Sequence, residues 1–193
     1  MLKPTYGRSR GFTVIEILVT IGILAVLAAI IIPAVRPRYD HASASGLIDS
    51  LNNIRQAIDA YREDVERYPT SLIQLQSRPP AGAAPTTDIC GAQVGTAWFA
   101  AKWRGPYLAQ RVESIGLKVG NSTVNPELGY GNLGNRLTNL IILVSEVDRA
   151  VAEIVDQAFD AQLSHNDGTI RWSEGTPGTN RGTLTYTMRT RGC

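Results

Sequence analysis

Cysteine, histidine and methionine each occur only twice in the 193 residues, and charged residues make up only 19% of them. Each scarcity excludes something. The two histidines, His41 and His165, stand in ligand spacing neither with one another nor with a cysteine, which removes the usual zinc sites. No glycine-rich phosphate loop with its Lys and Ser/Thr is present, and no nucleophile elbow is recognised. Acidic pairs such as Asp64 and Glu66 fall on or near a charged helix face, where solvation accounts for them. His165-Asn-Asp-Gly168 and the lone Glu174 lack the clustered oxygens of a calcium loop, so Asp167-Gly168 reads as a solvated turn. The formal charge is +2, with no dense basic patch and no basic stripe interleaved with aromatics, so nucleic acid is not an expected partner. No catalytic constellation, metal or cofactor is expected.

A further absence is local. Nineteen consecutive residues, Ile17 to Val35, carry no charge, and a single carboxylate, Glu16, stands at their head. About 20 apolar residues suffice to span a bilayer. An acidic side chain costs roughly 2.5–3.5 kcal/mol at the centre of such a span and less near its end, so Glu16 needs a partner. The positive N-terminal end of its own helix supplies only about 0.3–1 kcal/mol at an exposed site. A secretory signal peptide would have an apolar core of about 7–15 residues, shorter than this run, and here the run begins beside an acid. A plain signal anchor explains the length of the run but neither Gly11 nor Glu16.

Ahead of the run, Met1 to Gly11 is short and basic, with Lys3, Arg8 and Arg10 and no acid. Together with Gly11-Phe12-Thr13-Val14-Ile15-Glu16 and the apolar stretch through Pro33, this start resembles that of type IV prepilins and type II secretion pseudopilins. The resemblance implies that a prepilin peptidase cuts after Gly11 and methylates the new amine of Phe12. Residues 1–11 would then be a leader, 12–35 a transmembrane and filament-core segment, and 36–193 a periplasmic or extracellular domain. Without the leader, the 19 basic residues fall by three to 16, against 17 acidic ones. The implied mechanism is polymerisation: Glu16 is costly while the subunit waits in the inner membrane, and in the filament it meets the methylated ammonium of a neighbouring Phe12. Such a pair sets register, because removing one partner strands a buried charge. The other implied partners are further copies and other pilins, an inner-membrane platform protein and a cytoplasmic assembly ATPase, with the N-terminus cytoplasmic before assembly. A membrane-anchored enzyme and a membrane-tethered binding module compete with this reading; either would stay monomeric and keep its leader.

Farther along, Leu47, Leu51, Ile54, Ile58, Tyr61 and Val65 recur at steps of four and three. This spacing predicts one long helix from near Phe12 to about Arg67, apolar all round in its first half and amphipathic in its second. Pro33 and Pro37 predict bends or local unwinding, and Gly22 is a softer point. Tyr68-Pro69 ends the helix. The stretch from Ile54 to Leu72 and the segment Trp103-Arg-Gly-Pro-Tyr107 resemble the corresponding parts of major pseudopilins. Between them the Pro- and Ala-rich residues 78–87 read as an exposed loop.

Gly116 to Gly134 reads as turns with short strands. Leu140 to Leu163 places Val144, Val147, Val151, Ile154, Ala158 and Phe159 at helical spacing, which predicts a second amphipathic helix. Thr169–Ser173 and Thr183–Arg189 alternate as strands, joined by a turn with Gly175, Pro177, Gly178 and Gly182. The expected fold class is α+β and type IV pilin-like: a long N-terminal helix packed on a C-terminal globular domain with an antiparallel sheet and an additional helix. Cys90 and Cys193 read as one disulfide fastening the tail in an oxidising compartment, the alternative being two free thiols in a reducing one. A closed loop of about 100 residues would contribute up to roughly 4.7 kcal/mol in the chain-entropy account.

Overall fold

The computed structural model describes residues 11–78, 80, 86–88, 93–133, 136–160 and 168–190. Cys90, Cys193, the leader residues 1–10 and His165–Asp167 lie outside the described residues. The chain divides into a unit ending at Tyr39 and a unit from Asp40 onward. Helix α1, Val14–Val65, contributes to both. In the second unit Ala44, Leu47, Leu51, Ile54, Ala57, Ile58, Tyr61 and Val65 form its buried stripe. Each fully buried aliphatic side chain there contributes roughly 1.5–3 kcal/mol relative to exposure. The helix stops slightly before Arg67, because Glu66 takes a left-handed backbone with φ 59° and the Tyr68-Pro69 pair follows.

A short helix α2, Ile73–Gln76, follows, then a two-residue ladder of β1, Thr86–Thr87, with β2, Gln93–Val94, and helix α3, Thr96–Lys102. The main sheet is antiparallel throughout. It comprises β3 (Leu117–Val119), β4 (Ser122–Val124), β5 (Gly129–Leu133), β6 (Arg136–Asp148), β7 (Ile170–Glu174) and β8 (Arg181–Arg189), in the order β3-β4-β6-β8-β7, with β5 also paired to β6. Helix α4, Arg149–Asp160, follows β6 directly. Leu140, Ile142, Val144, Ile170, Leu184 and Tyr186 share one core with the α1 stripe. The architecture is therefore the α+β, pilin-like one expected, with an additional helix.

One element differs from the sequence reading. Of the expected helix over Leu140–Leu163, Arg149–Asp160 is helix and residues 161–163 lie outside the described residues, while Leu140–Asp148 is the end of β6, the longest described strand of the sheet. The reason is a bulge. Register shifts between Val144 and Val147, with Glu146 at φ 61°, so both valines point into the core although they stand three residues apart. Spacing of three in a strand imitates a helical step, and the apolar run before it fits a central strand as well as a helix. The short strands expected in Gly116–Gly134 are β3, β4 and β5, and both C-terminal strands form where alternation placed them.

The Trp103–Tyr107 segment is fastened to α2 and to the end of α1. Trp103 Nε1 donates to the Gln74 carbonyl at 2.9 Å, and the Tyr107 amide to the Leu75 carbonyl at 2.8 Å. The Tyr107 hydroxyl donates to Asp64 Oδ2 at 2.9 Å and accepts the Arg104 amide at 2.9 Å. Asp64 and Glu66 are thus more than a solvated pair: Glu66 meets Lys102 Nζ at 2.8 Å, and that ammonium holds its carboxyl below the usual range. Gly105 fits because a Cβ there would stand 2.6 Å from the Trp103 ring and 2.8 Å from the Tyr107 ring.

Burial raises the hydroxyls of Tyr61, Tyr107 and Tyr186 above the usual tyrosine value, in each case as the largest cause. A raised folded value favours the neutral form, so this contribution is complete below the unfolded tyrosine pKa of about 10 and is lost as pH rises beyond it. The urea midpoint of the protein should therefore hold from neutral pH to about 9 and fall steeply above about 10. Replacing Tyr61 by Phe should flatten that alkaline fall; an unchanged slope would show that Tyr61 does not drive it.

Candidate assembly site

The N-terminal unit derives its character from what it leaves exposed. Val14–Ile31 has a mean hydropathy of 2.9, and none of it is buried. At about 1.5 Å per residue these 18 residues extend roughly 27 Å, close to the hydrocarbon thickness of a bilayer. It is the one helix among the described residues that is long and apolar enough to cross a membrane. Phe12 is 79% exposed just ahead of it.

Three polar side chains interrupt the stretch from Thr13 to Ile31, namely Thr13, Glu16 and Thr20. Thr20 Oγ1 donates to the Ile17 carbonyl at 2.8 Å, so its hydroxyl is satisfied within the helix. Thr13 is the cap. Its carbonyl accepts the Ile17 amide at 3.2 Å, and its Oγ1 accepts the Glu16 amide at 3.3 Å. Thr13-Val-Ile-Glu16 is a capping-box sequence, with the acid in the first turn, where the helix dipole favours it. Thr13 was missed in the sequence reading, although the Thr-x-x-Glu spacing marked it. Glu16 remains the one charge on this segment.

Gly11, Phe12 and Glu16 are thus brought within one turn of the start of α1. Gly22 lies within the helix, and a Cβ there would meet nothing within 4 Å. The helical backbone continues through Pro33 and Pro37. Among the described residues no group of three or more His, Cys, Asp and Glu side chains is placed to hold a metal ion.

An exposed apolar helix with one carboxylate in its first turn, joined to an α+β domain, is the arrangement expected of a type IV pilin-like protein. Residues 7–32 match the prokaryotic N-terminal methylation motif. The chain is 31% identical over 106 residues to the type IV wide pilus major component of Thermus thermophilus, covering 48% of this chain and 81% of that protein. It is 39% identical over 70 residues to the type II secretion system core protein G of Klebsiella pneumoniae, covering 36% of this chain and 50% of the relative. For the Escherichia coli core protein G the figures are 32% over 82 residues, 39% and 57%. The chain spans about half the length of these secretion-system relatives. No solved structure gives a significant match. The chain belongs to the family of type IV pilins and type II secretion pseudopilins.

Proposed function

We propose that the chain is a structural subunit of a type IV filament, a pilus or a type II secretion pseudopilus, and that it performs no catalysis. The observation that carries this reading is Glu16, a lone carboxylate in the first turn of a helix whose Val14–Ile31 stretch is apolar and unburied and begins two residues after Phe12. Prepilin peptidase cuts between Gly11 and Phe12 and methylates Phe12. The subunit then waits as a single-pass protein of the inner membrane, with its N-terminus cytoplasmic. A platform protein and an assembly ATPase pass it into a filament of like subunits and other pilins, where Glu16 pairs with the Phe12 amine of a neighbour. Gly22, Pro33 and Pro37 are the places where α1 bends to pack there, and a Cys90–Cys193 disulfide fastens the tail of the exported domain.

Intact-mass and peptide analysis of protein from its native host tests the processing. The expected result is a chain beginning at N-methylated Phe12, with one non-reduced peptide joining Cys90 to Cys193. A monomer beginning at Met1 would replace this reading with that of a membrane-tethered enzyme or binding module. Two alkylatable thiols in trapped native material would remove the disulfide alone.

A further inference from the structure

A groove of about 750 Å³ in the second unit lies between α1 and the C-terminal end of β8. Arg55, Asp59, Arg62 and Glu63 line it from the helix, and Arg189 from the strand. Tyr68 and Tyr186, both buried, lie beneath, with the Arg62 guanidinium 5.1 Å from the centre of the Tyr68 ring. None of these five charged side chains forms an ion pair with a described residue, whereas Arg67, Lys102, Arg149 and Arg181 all do.

The other end of β8 has the reverse balance. Glu146 and Asp148 both meet Arg181 at 3.1 Å, Glu153 meets Arg149 at 3.1 Å, and Glu174, opposite Gly182, has no ion pair with a described residue. Among the described residues four carboxylates there face two guanidiniums, while the groove sets three guanidiniums against two carboxylates. The nine residues of β8 separate the two places by roughly 27 Å at about 3.4 Å per step, so they cannot meet within one subunit.

We propose that the Arg55–Arg62–Arg189 groove is the seat for the acidic end of the sheet of a second copy of this chain. This deepens the filament reading and rests on it. Both signs match: the groove's arginines face the neighbour's carboxylates, and Asp59 and Glu63 face its Arg149 and Arg181. Those two acids within the groove also oppose a simple anion, which favours a partner of mixed charge. A contact between two different patches of identical subunits is heterologous and repeats without closing, the geometry that a helical filament requires. Charges at such an interface select the partner and fix register more than they supply affinity.

The test uses the full chain in cells that assemble it, with sheared filaments as the readout and leader cleavage and melting temperature as controls. Reversal of the groove by Arg189→Glu, or of the acidic end by Glu153→Arg with Glu174→Arg, should each lower filament yield about tenfold, as expected for close interfacial charge pairs. The three substitutions combined should restore most of it. Filaments of an Arg189→Lys variant, treated with a zero-length carboxyl–amine coupling reagent, should yield peptides joining residue 189 to Glu146, Asp148, Glu153 or Glu174.

Normal yield from each reversed variant would overturn the proposal, and so would cross-links from residue 189 only to other carboxylates or to a different protein. In those cases the filament reading would stand. Absence of filaments from the unmodified chain would overturn both.

Discussion

Filaments built only from a Glu16→Ala variant are expected to be absent or scarce, while leader cleavage and the fold of the 40–193 unit persist. No described core contact of that unit uses the carboxylate, and the proposed cleavage falls between Gly11 and Phe12, within the matched motif. In a packed helix core the neighbour's ammonium would lose its counter-charge, and stranding a buried charge in this way costs about 3–5 kcal/mol. The competing account is capping: Glu16 in the first turn, with its amide held by Thr13, supports only its own helix end. On that account the loss is about 0.3–1 kcal/mol and filaments are nearly normal. Electron microscopy of sheared filaments from cells expressing the variant alone separates the two. Thr13→Ala serves as a second control, because it removes the side-chain half of the cap and leaves the charge in place. Abundant filaments from Glu16→Ala would sink the pairing mechanism.

Tyr61→Ala should cost about 3–5 kcal/mol, the range for emptying a buried aromatic position. Tyr61 is 1% exposed, and its ring lies 5.7 Å from that of Phe99 and 5.6 Å from that of Tyr107. The ring thus joins the long helix to α3 and to the Trp103–Tyr107 segment. Its removal opens a cavity where three elements meet, and relaxation there would disturb the Tyr107–Asp64 hydrogen bond. Tyr61→Phe keeps both ring contacts and should lose far less. Urea denaturation of the detergent-solubilised chain measures both variants, and equal losses would show that the hydroxyl rather than the ring matters.

Much of this was legible in the residues, for identifiable reasons. The stripe from Leu47 to Val65 packs on one layer, so its period survives intact and the helix could be traced almost to its last residue. Leu184 and Tyr186 alternate because β8 has one face on the core. β6 was misread in its second half because it is apolar on both faces and carries a bulge that breaks its period of two. The bond from Tyr107 to Asp64 joins residues 43 apart, and no local pattern announces such a contact. At the candidate assembly site, Gly11, Phe12 and Glu16 could be singled out because they lie together along the chain, within the matched motif. The charged groove was not, since it draws on α1 and β8, which are separated by more than 100 residues.

The unbroken course of α1 also has a mechanical meaning. A pull along a filament would load its hydrogen bonds in series, and a series yields at its weakest link. Pro33 and Pro37 have no amide hydrogen, so the carbonyls of Ala29 and Pro33 lack their usual donors four residues on. That stretch should lengthen first under tension. The core built on Leu47 to Val65 lies beyond it along the chain, so the helix would act as a spring in front of the domain and keep the folded part from bearing the first extension.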